Sequence, residues 1–283
     1  PVLHNCTTMP VRKSKTLAKI RAGEAVKCCA LGHYMPFFVH YAAKAGYDVI
    51  WLDLEHRAMG QREVQALLQL GVHHDIDIMV RSPSTERTKL YRYLEDGATG
   101  VMIPLMNTAD DVASLVEKTK FPPIGNRGID AAGVDARFGE YSWGEGEHSM
   151  AGYVGGANRE TFLCVQIETR AALTNCQAMA AVDGVDIFFV GPGDLGWRLS
   201  AEGGNVPGAP DYFDGGVEEA KLKVAEACKA GGIAWGLPVP TAAKAAEAIA
   251  AGAQFINHGG EFGFVMAGLQ RCSCELDEVV ANK

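Results

Sequence analysis

The chain has 283 residues, 48% of them hydrophobic, and its 26 basic and 34 acidic side chains give a formal charge of −8. That length buries one substantial core, arranged as two small domains or as a single α/β barrel of about 250 residues. The acidic balance excludes a general nucleic-acid binder, which needs a basic face, but not an anionic substrate held by one local arginine.

No apolar run approaches the ~20 residues of a membrane span, so no membrane partner is expected. The first 25 residues are too basic and broken for a secretion signal. The eight cysteines fall largely inside apolar segments, as Cys28, Cys29, Cys164 and Cys228 do, where reduced thiols pack as small apolar groups. Cys272 and Cys274 lack the second pair that a zinc site requires. The expected location is cytoplasmic.

After a basic leader and helix within residues 1–24, β-rich runs alternate with helical patterns. The runs are VKCCALG from Val26, YDVIWLDLEH from Tyr47, DIMVRSP from Asp77, TGVMIPLM from Thr99, FLCVQIET from Phe162, VDIFFVGPGD from Val185, IAWGLPV from Ile233 and AQFINHGG from Ala253. Helical patterns such as QREVQALLQLG and VEEAKLKVAEACKAG separate them, often ending on glycine. Eight such units, with no composition break and no GxGxxG, predict one domain over 1–283, a closed (β/α)8 barrel with an N-terminal helix and a C-terminal helical extension. Residues 121–161 lack periodicity and carry scattered aromatics. They are expected to form a lid or second-substrate loop, or else a structural excursion with a short helix. The final stretch, 264–283, contains Phe264, Val265, Met266 and Leu269, which fit burial within the chain or against a neighbour.

In such a barrel the chemistry sits at the C-terminal ends of the strands. There the sequence places Asp53, Glu55 and His56, then Arg81, then Gln166 and Glu168, then Asp194 in GPGDLG. Lysine is absent from these ends, which argues against a Schiff-base aldolase. Alternation sends Gln166 and Glu168 to one face and Leu163, Val165 and Ile167 to the other. A carboxylate ending a buried strand needs a partner. Glu168 and Asp194 are therefore expected to share a hard divalent ion, Mg2+ or Mn2+, the alternative being a salt bridge from Glu168 to Arg81 or Arg170. Arg81 is expected to stabilise an enolate oxygen or to compensate Glu55 or Glu168. Asp53 and His56 would form a carboxylate-oriented imidazole, and Gly191 and Gly193 would let backbone amides approach a carboxylate. Trp51 is a further candidate to line the substrate.

DLEH, VRSP, FPPIGNRGI, QIE and GPGDL, in this order between Gly23 and Gly263, resemble the metal-dependent pyruvate aldolases of the HpcH/HpaI family. The resemblance implies that Glu168 and Asp194 ligate Mg2+ (Mn2+ or another divalent ion being acceptable), with Gln166 supporting the ion or the substrate. It places Arg81 on the keto oxygen, gives proton handling to His56 with Asp53, and sets Glu55 behind the ligands holding a water. Backbone amides at Gly193 and Asp194 would receive the substrate carboxylate. The family's barrels assemble as hexamers by exchanging C-terminal helices, which makes 264–283 a candidate exchanged segment.

Within the family the whole chain is most similar to a fungal enzyme that decarboxylates oxaloacetate to pyruvate enolate and adds it to a 2-pyrone, giving a benzoate. That reaction is the expectation. The main rival is a class II aldolase of 4-hydroxy-2-keto acids with a carbonyl acceptor, for which Asp53 and His56 become essential. A rival from another class is a non-catalytic keto-acid-binding barrel.

Overall fold

The structure is a computed structural model describing residues 11–143, 146, 148–204, 207–208 and 216–281. The first ten residues of the leader and the last two of the C-terminal stretch lie outside the described residues. The elements, in chain order, are α1 (Lys15–Arg21), β1 (Val26–Leu31), α2 (Pro36–Lys44), β2 (Val49–Asp53), α3 (Gln61–His73), β3 (Asp77–Arg81), α4 (Arg87–Glu95), β4 (Gly100–Ile103) and α5 (Ala109–Thr119). They continue with α6 (Met150–Glu160), β5 (Phe162–Ile167), α7 (Arg170–Ala180), β6 (Ile187–Val190), α8 (Pro192–Glu202), α9 (Val217–Gly231), β7 (Ala234–Pro238), α10 (Ala242–Ala250), β8 (Phe255–Gly260) and α11 (Glu261–Ala281).

The eight strands close into a parallel barrel in sequential order, the (β/α)8 architecture expected. Period-two alternation divides the core into two shells. Leu163, Val165 and Ile167 pack outward beneath the helices, together with the outward residues of the other strands. Phe162 and Cys164 turn inward among Val49, Met79, Phe189 and Phe255. Gln166 and Glu168 continue that inward row toward the mouth. Threonine caps start the helices that follow several strands: Thr108, Thr169 and Thr241 each accept from the amide three residues on, each cap being worth about 1 kcal/mol.

Helix α1 closes the barrel floor. Leu17 enters the inner shell, and buried Asp77 at the start of β3 accepts from Ser14 Oγ at 2.7 Å and Thr16 N at 2.8 Å.

The described residues of 121–161 occupy the same end as α1. The segment leaves α5, contains α6 and delivers the chain to the first residue of β5. Phe121, Tyr141, Met150 and Tyr153 form a small core of its own, against which Val11 packs. It therefore stands at the N-terminal end of the barrel, opposite Glu168. The described residues of the segment match the structural excursion with a short helix, rather than a lid over their own chain's strand ends.

Helix α11 projects from β8. Beyond Glu261 it buries no side chain within the chain, and Leu269, Leu276 and Val280 are 65–68% exposed. Among residues 264–281 no side chain is buried within the chain, although Phe264 stacks on Phe38. No described helix is long and apolar enough to cross a membrane.

Candidate active site

Two groups of polar side chains meet at the C-terminal mouth. The first is built by β2 and β3, whose register sets Asp53 directly beside Arg81. Arg81 Nε and Nη2 donate to the two Asp53 carboxylate oxygens at 2.9 and 2.7 Å, and Nη1 lies 3.1 Å from Glu55 Oε2. The guanidinium is nearly buried and sits 4.7 Å above the Trp51 ring, a cation–π contact. Burial pushes the Asp53 carboxyl upward, but the Arg81 bonds and charge outweigh it and hold Asp53 below the usual carboxylate range.

His56 departs from expectation. Asp53 Oδ1 accepts the backbone amides of Glu55 and His56 at 3.0 and 3.3 Å, so its lone pairs serve the turn and Arg81. The imidazole lies instead 3.8 Å from Glu55 Oε2 and is more than half exposed. The Asp53–His56 dyad is not formed; the carboxylate beside His56 is Glu55.

The second group is built by β5, β6 and α8. Glu168 is buried, accepting from Gln166 Nε2 at 2.8 Å and from the Leu105 amide at 3.0 Å. Burial, then the neighbouring charges of Asp194 and Glu55, push its carboxyl up to about 7 despite Arg198 and the Leu105 amide. The influence of Glu55 on Glu168 ties the two groups into one mouth.

GPGDLG starts α8, with Gly191 as its N-cap and Pro192 in its first turn, where proline's missing N–H and fixed φ are tolerated. The amides of Gly193 and Asp194 thus lie in the first turn, whose N–H groups have no intrahelical acceptor and favour anions. Beside Gly193 the space is open, whereas a Cβ on Gly191 would lie 2.8 Å from Gln166 Nε2 and 3.1 Å from Glu168 Oε2. A side chain at 191 would therefore have to move Gln166 or Glu168.

Neither salt bridge considered for Glu168 occurs. Arg81 is committed to Asp53 and Glu55, and Arg170 to Glu202. The guanidinium nearest the two acids is Arg198, one turn after Asp194 on α8: Nη1 donates to the Glu168 carbonyl at 2.9 Å and lies 4.0 Å from Glu168 Oε1, while Nη2 lies 3.5 Å from Asp194 Oδ1. It was legible only as an i+4 neighbour of Asp194, once α8 was known to be a helix. A second unforeseen pair is His33 with buried Glu261, 2.9 Å apart at the ends of β1 and β8.

The donors fit a hard divalent ion. No group of three or more His, Cys, Asp or Glu among the described residues forms a ready cage, but Mg2+ and Mn2+ are commonly held by one or two carboxylates, water and substrate. Glu168 is crowded by other acids, and Gln166 Oε1, two residues before it, is buried without a hydrogen-bond partner.

A closed barrel with acids, a guanidinium and an imidazole gathered at its strand ends has the architecture of a barrel enzyme. The HpcH/HpaI aldolase/citrate lyase family model matches residues 32–267, and the chain belongs to that family of aldolases and lyases. It is 34% identical to 4-hydroxy-2-oxovalerate aldolase of Rhodococcus jostii (strain RHA1) over 218 residues, 77% of this chain and 78% of that protein. It is 32% identical to hydroxypyruvate/pyruvate aldolase of Pseudomonas aeruginosa over 225 residues, 80% and 79% of the two chains. The crystal structure of macrophomate synthase superposes with a TM-score of 0.74 over 96% of this chain and 92% of that one, at 21% identity, a likeness of fold alone.

Proposed function

We propose that the protein is a divalent-ion-dependent aldolase that cleaves 4-hydroxy-2-oxo acids to pyruvate and an aldehyde, and joins them in reverse. The observation that carries this reading is the meeting of Glu168 and Asp194 with Arg81 and His56 at one mouth, in a chain whose relatives include 4-hydroxy-2-oxovalerate and pyruvate aldolases. When bound between Glu168 and Asp194, an ion of the Mg2+ or Mn2+ type supplies a Lewis acid for the 2-oxo group. Gln166 holds Glu168 in place, and the first-turn amides of α8 at Gly193 and Asp194 receive the substrate carboxylate. A guanidinium carries five N–H groups; Arg81 gives two to Asp53 and turns a third toward Glu55, which leaves two for the enolate oxygen as charge develops there. His56, beside Glu55, takes the proton of the 4-hydroxyl group as the C3–C4 bond breaks, and Trp51 backs Arg81.

The 2-pyrone reaction has less support. The candidate second-substrate loop, 121–161, has its described residues at the far end of the barrel. Pyruvate release from 4-hydroxy-2-oxo acids, measured with Mg2+ or Mn2+ and with EDTA, tests the proposal. Oxaloacetate consumption without any retro-aldol turnover would favour the decarboxylase reading, and unimpaired retro-aldol turnover in His56→Ala would remove the base assigned here. Binding of pyruvate with no turnover of either substrate would leave only a sensor.

Gly191→Ala is expected to push Gln166 off Glu168 and weaken Mn2+ binding about ten- to a hundredfold, as loss of outer support does at other metal sites. Equilibrium binding followed by the electron paramagnetic resonance of free Mn2+ measures this. We further assign the exposed apolar side chains of α11 to contacts with another copy of the chain, in keeping with an exchanged helix and a hexamer. The double variant Leu269→Asp/Leu276→Asp is expected to run as a monomer in light scattering, whereas an unchanged oligomer would release α11 from this role.

A further inference from the structure

The position of Arg198 raises a question of charge. Glu168 and Asp194 contribute two negative charges, and Arg198 reaches both from the rim. Its tether is the hydrogen bond to the Glu168 carbonyl, which holds the guanidinium near the oxygens that would bind an ion. An ion about 2.1 Å from those oxygens would face a guanidinium lying only 3.5–4.0 Å from them. Three positive charges would then meet two negative ones within a few ångströms. Helix geometry supplies the reach, because Asp194 and Arg198 are one turn apart and helical side chains lean toward the N terminus. It also supplies an exit. Glu202 lies one turn farther along α8, already beside Arg170 at the surface, and offers a second carboxylate to a displaced guanidinium.

We propose that Arg198 is a built-in counter-cation for the Glu168–Asp194 pair, which a divalent ion must displace in order to bind. This rests on the reading of those two acids as the ion's ligands. Arg198 acts as a positioning residue: it offsets one charge of the pair before loading and lowers the affinity of the loaded state. Of the arginines paired at the mouth, it is the one suited to exchange, being about a third exposed, whereas Arg81 is nearly buried and locked by two acids.

The test is Mn2+ binding by the full chain, followed by paramagnetic resonance, in the wild type, Arg198→Gln and Arg198→Lys. Removing one cation a few ångströms from a dication is expected to tighten Mn2+ binding about tenfold in Arg198→Gln at low salt. The gain should shrink as salt rises. Arg198→Lys keeps the charge and is expected to stay within about threefold of the wild type. Far-UV circular dichroism checks that both variants keep the fold. Equal or weaker binding in a folded Arg198→Gln, beside a wild type that binds, overturns this inference and leaves the ion site standing. Absence of binding in all three proteins overturns both readings, while binding confined to Arg198→Gln supports the inference in its strongest form.

Discussion

Glu168→Gln is expected to abolish measurable Mn2+ binding and to lower kcat/KM for retro-aldol cleavage by about a thousandfold or more. The substitution keeps the size of the side chain and its place opposite Gln166, and removes one charge. The remaining acid, Asp194, is more than half exposed and carries the Arg198 contact, so it cannot hold an ion alone. Lewis-acid stabilisation of a developing enolate is worth several kcal/mol, of which about 4 kcal/mol corresponds to the stated loss in rate. Steady-state kinetics and Mn2+ titration measure both effects. Activity of the Glu168→Gln variant within tenfold of the wild type would remove Glu168 from the chemistry.

The same residue carries a pH dependence of stability. Burial and the charges of Asp194 and Glu55 raise the Glu168 carboxyl from 4.5 to about 7. Below pH 4.5 the group is protonated folded or unfolded and has no effect. Between pH 4.5 and about 7 the folded chain binds the extra proton, so stability falls as pH rises and then levels off. The shift corresponds to roughly 3 kcal/mol. Ion-free Glu168→Gln is therefore expected to lose less stability than the wild type between pH 5 and 8 in urea unfolding. An ion reverses the disadvantage, and its affinity should weaken as pH drops below about 7, because it competes with that proton.

The barrel is readable because short, continuous apolar runs, buried on both faces, recur eight times between helical patterns. Helix α6 is legible only as an unplaced short helix within 121–161, because Gly152, Gly155 and Gly156 interrupt its apolar spacing. Helix α8 escaped because Pro192 and two glycines resemble a turn, although proline in a helix's first turn is tolerated. The strand-end acids are visible in the sequence one by one, but their pairing is not. Asp53 and His56 are neighbours in sequence, and only the β2–β3 register, a long-range property, brings Arg81 level with Asp53 and commits that carboxylate. Arg198 remained hidden for the same reason as α8.

That commitment makes Arg81 the second residue of large effect. Arg81→Ala would leave Asp53 and Glu55, both largely shielded from water, without their shared cation. Breaking such a pair from one side costs about 3–5 kcal/mol, and the substitution also uncovers the Trp51 ring. The expected result is a drop in melting temperature together with a loss in kcat/KM of about a thousandfold. Arg81→Lys separates the two contributions. A lysine restores one charge between the acids and most of the stability, but it lacks the planar fork that binds Asp53 through two bonds while facing the substrate. It is expected to recover the melting temperature to within a few degrees while kcat stays depressed at least a hundredfold. If kcat returned along with stability, Arg81 would be a structural counterion to Asp53 and Glu55, and the charge developing on the enolate oxygen would have to be met elsewhere in the mouth.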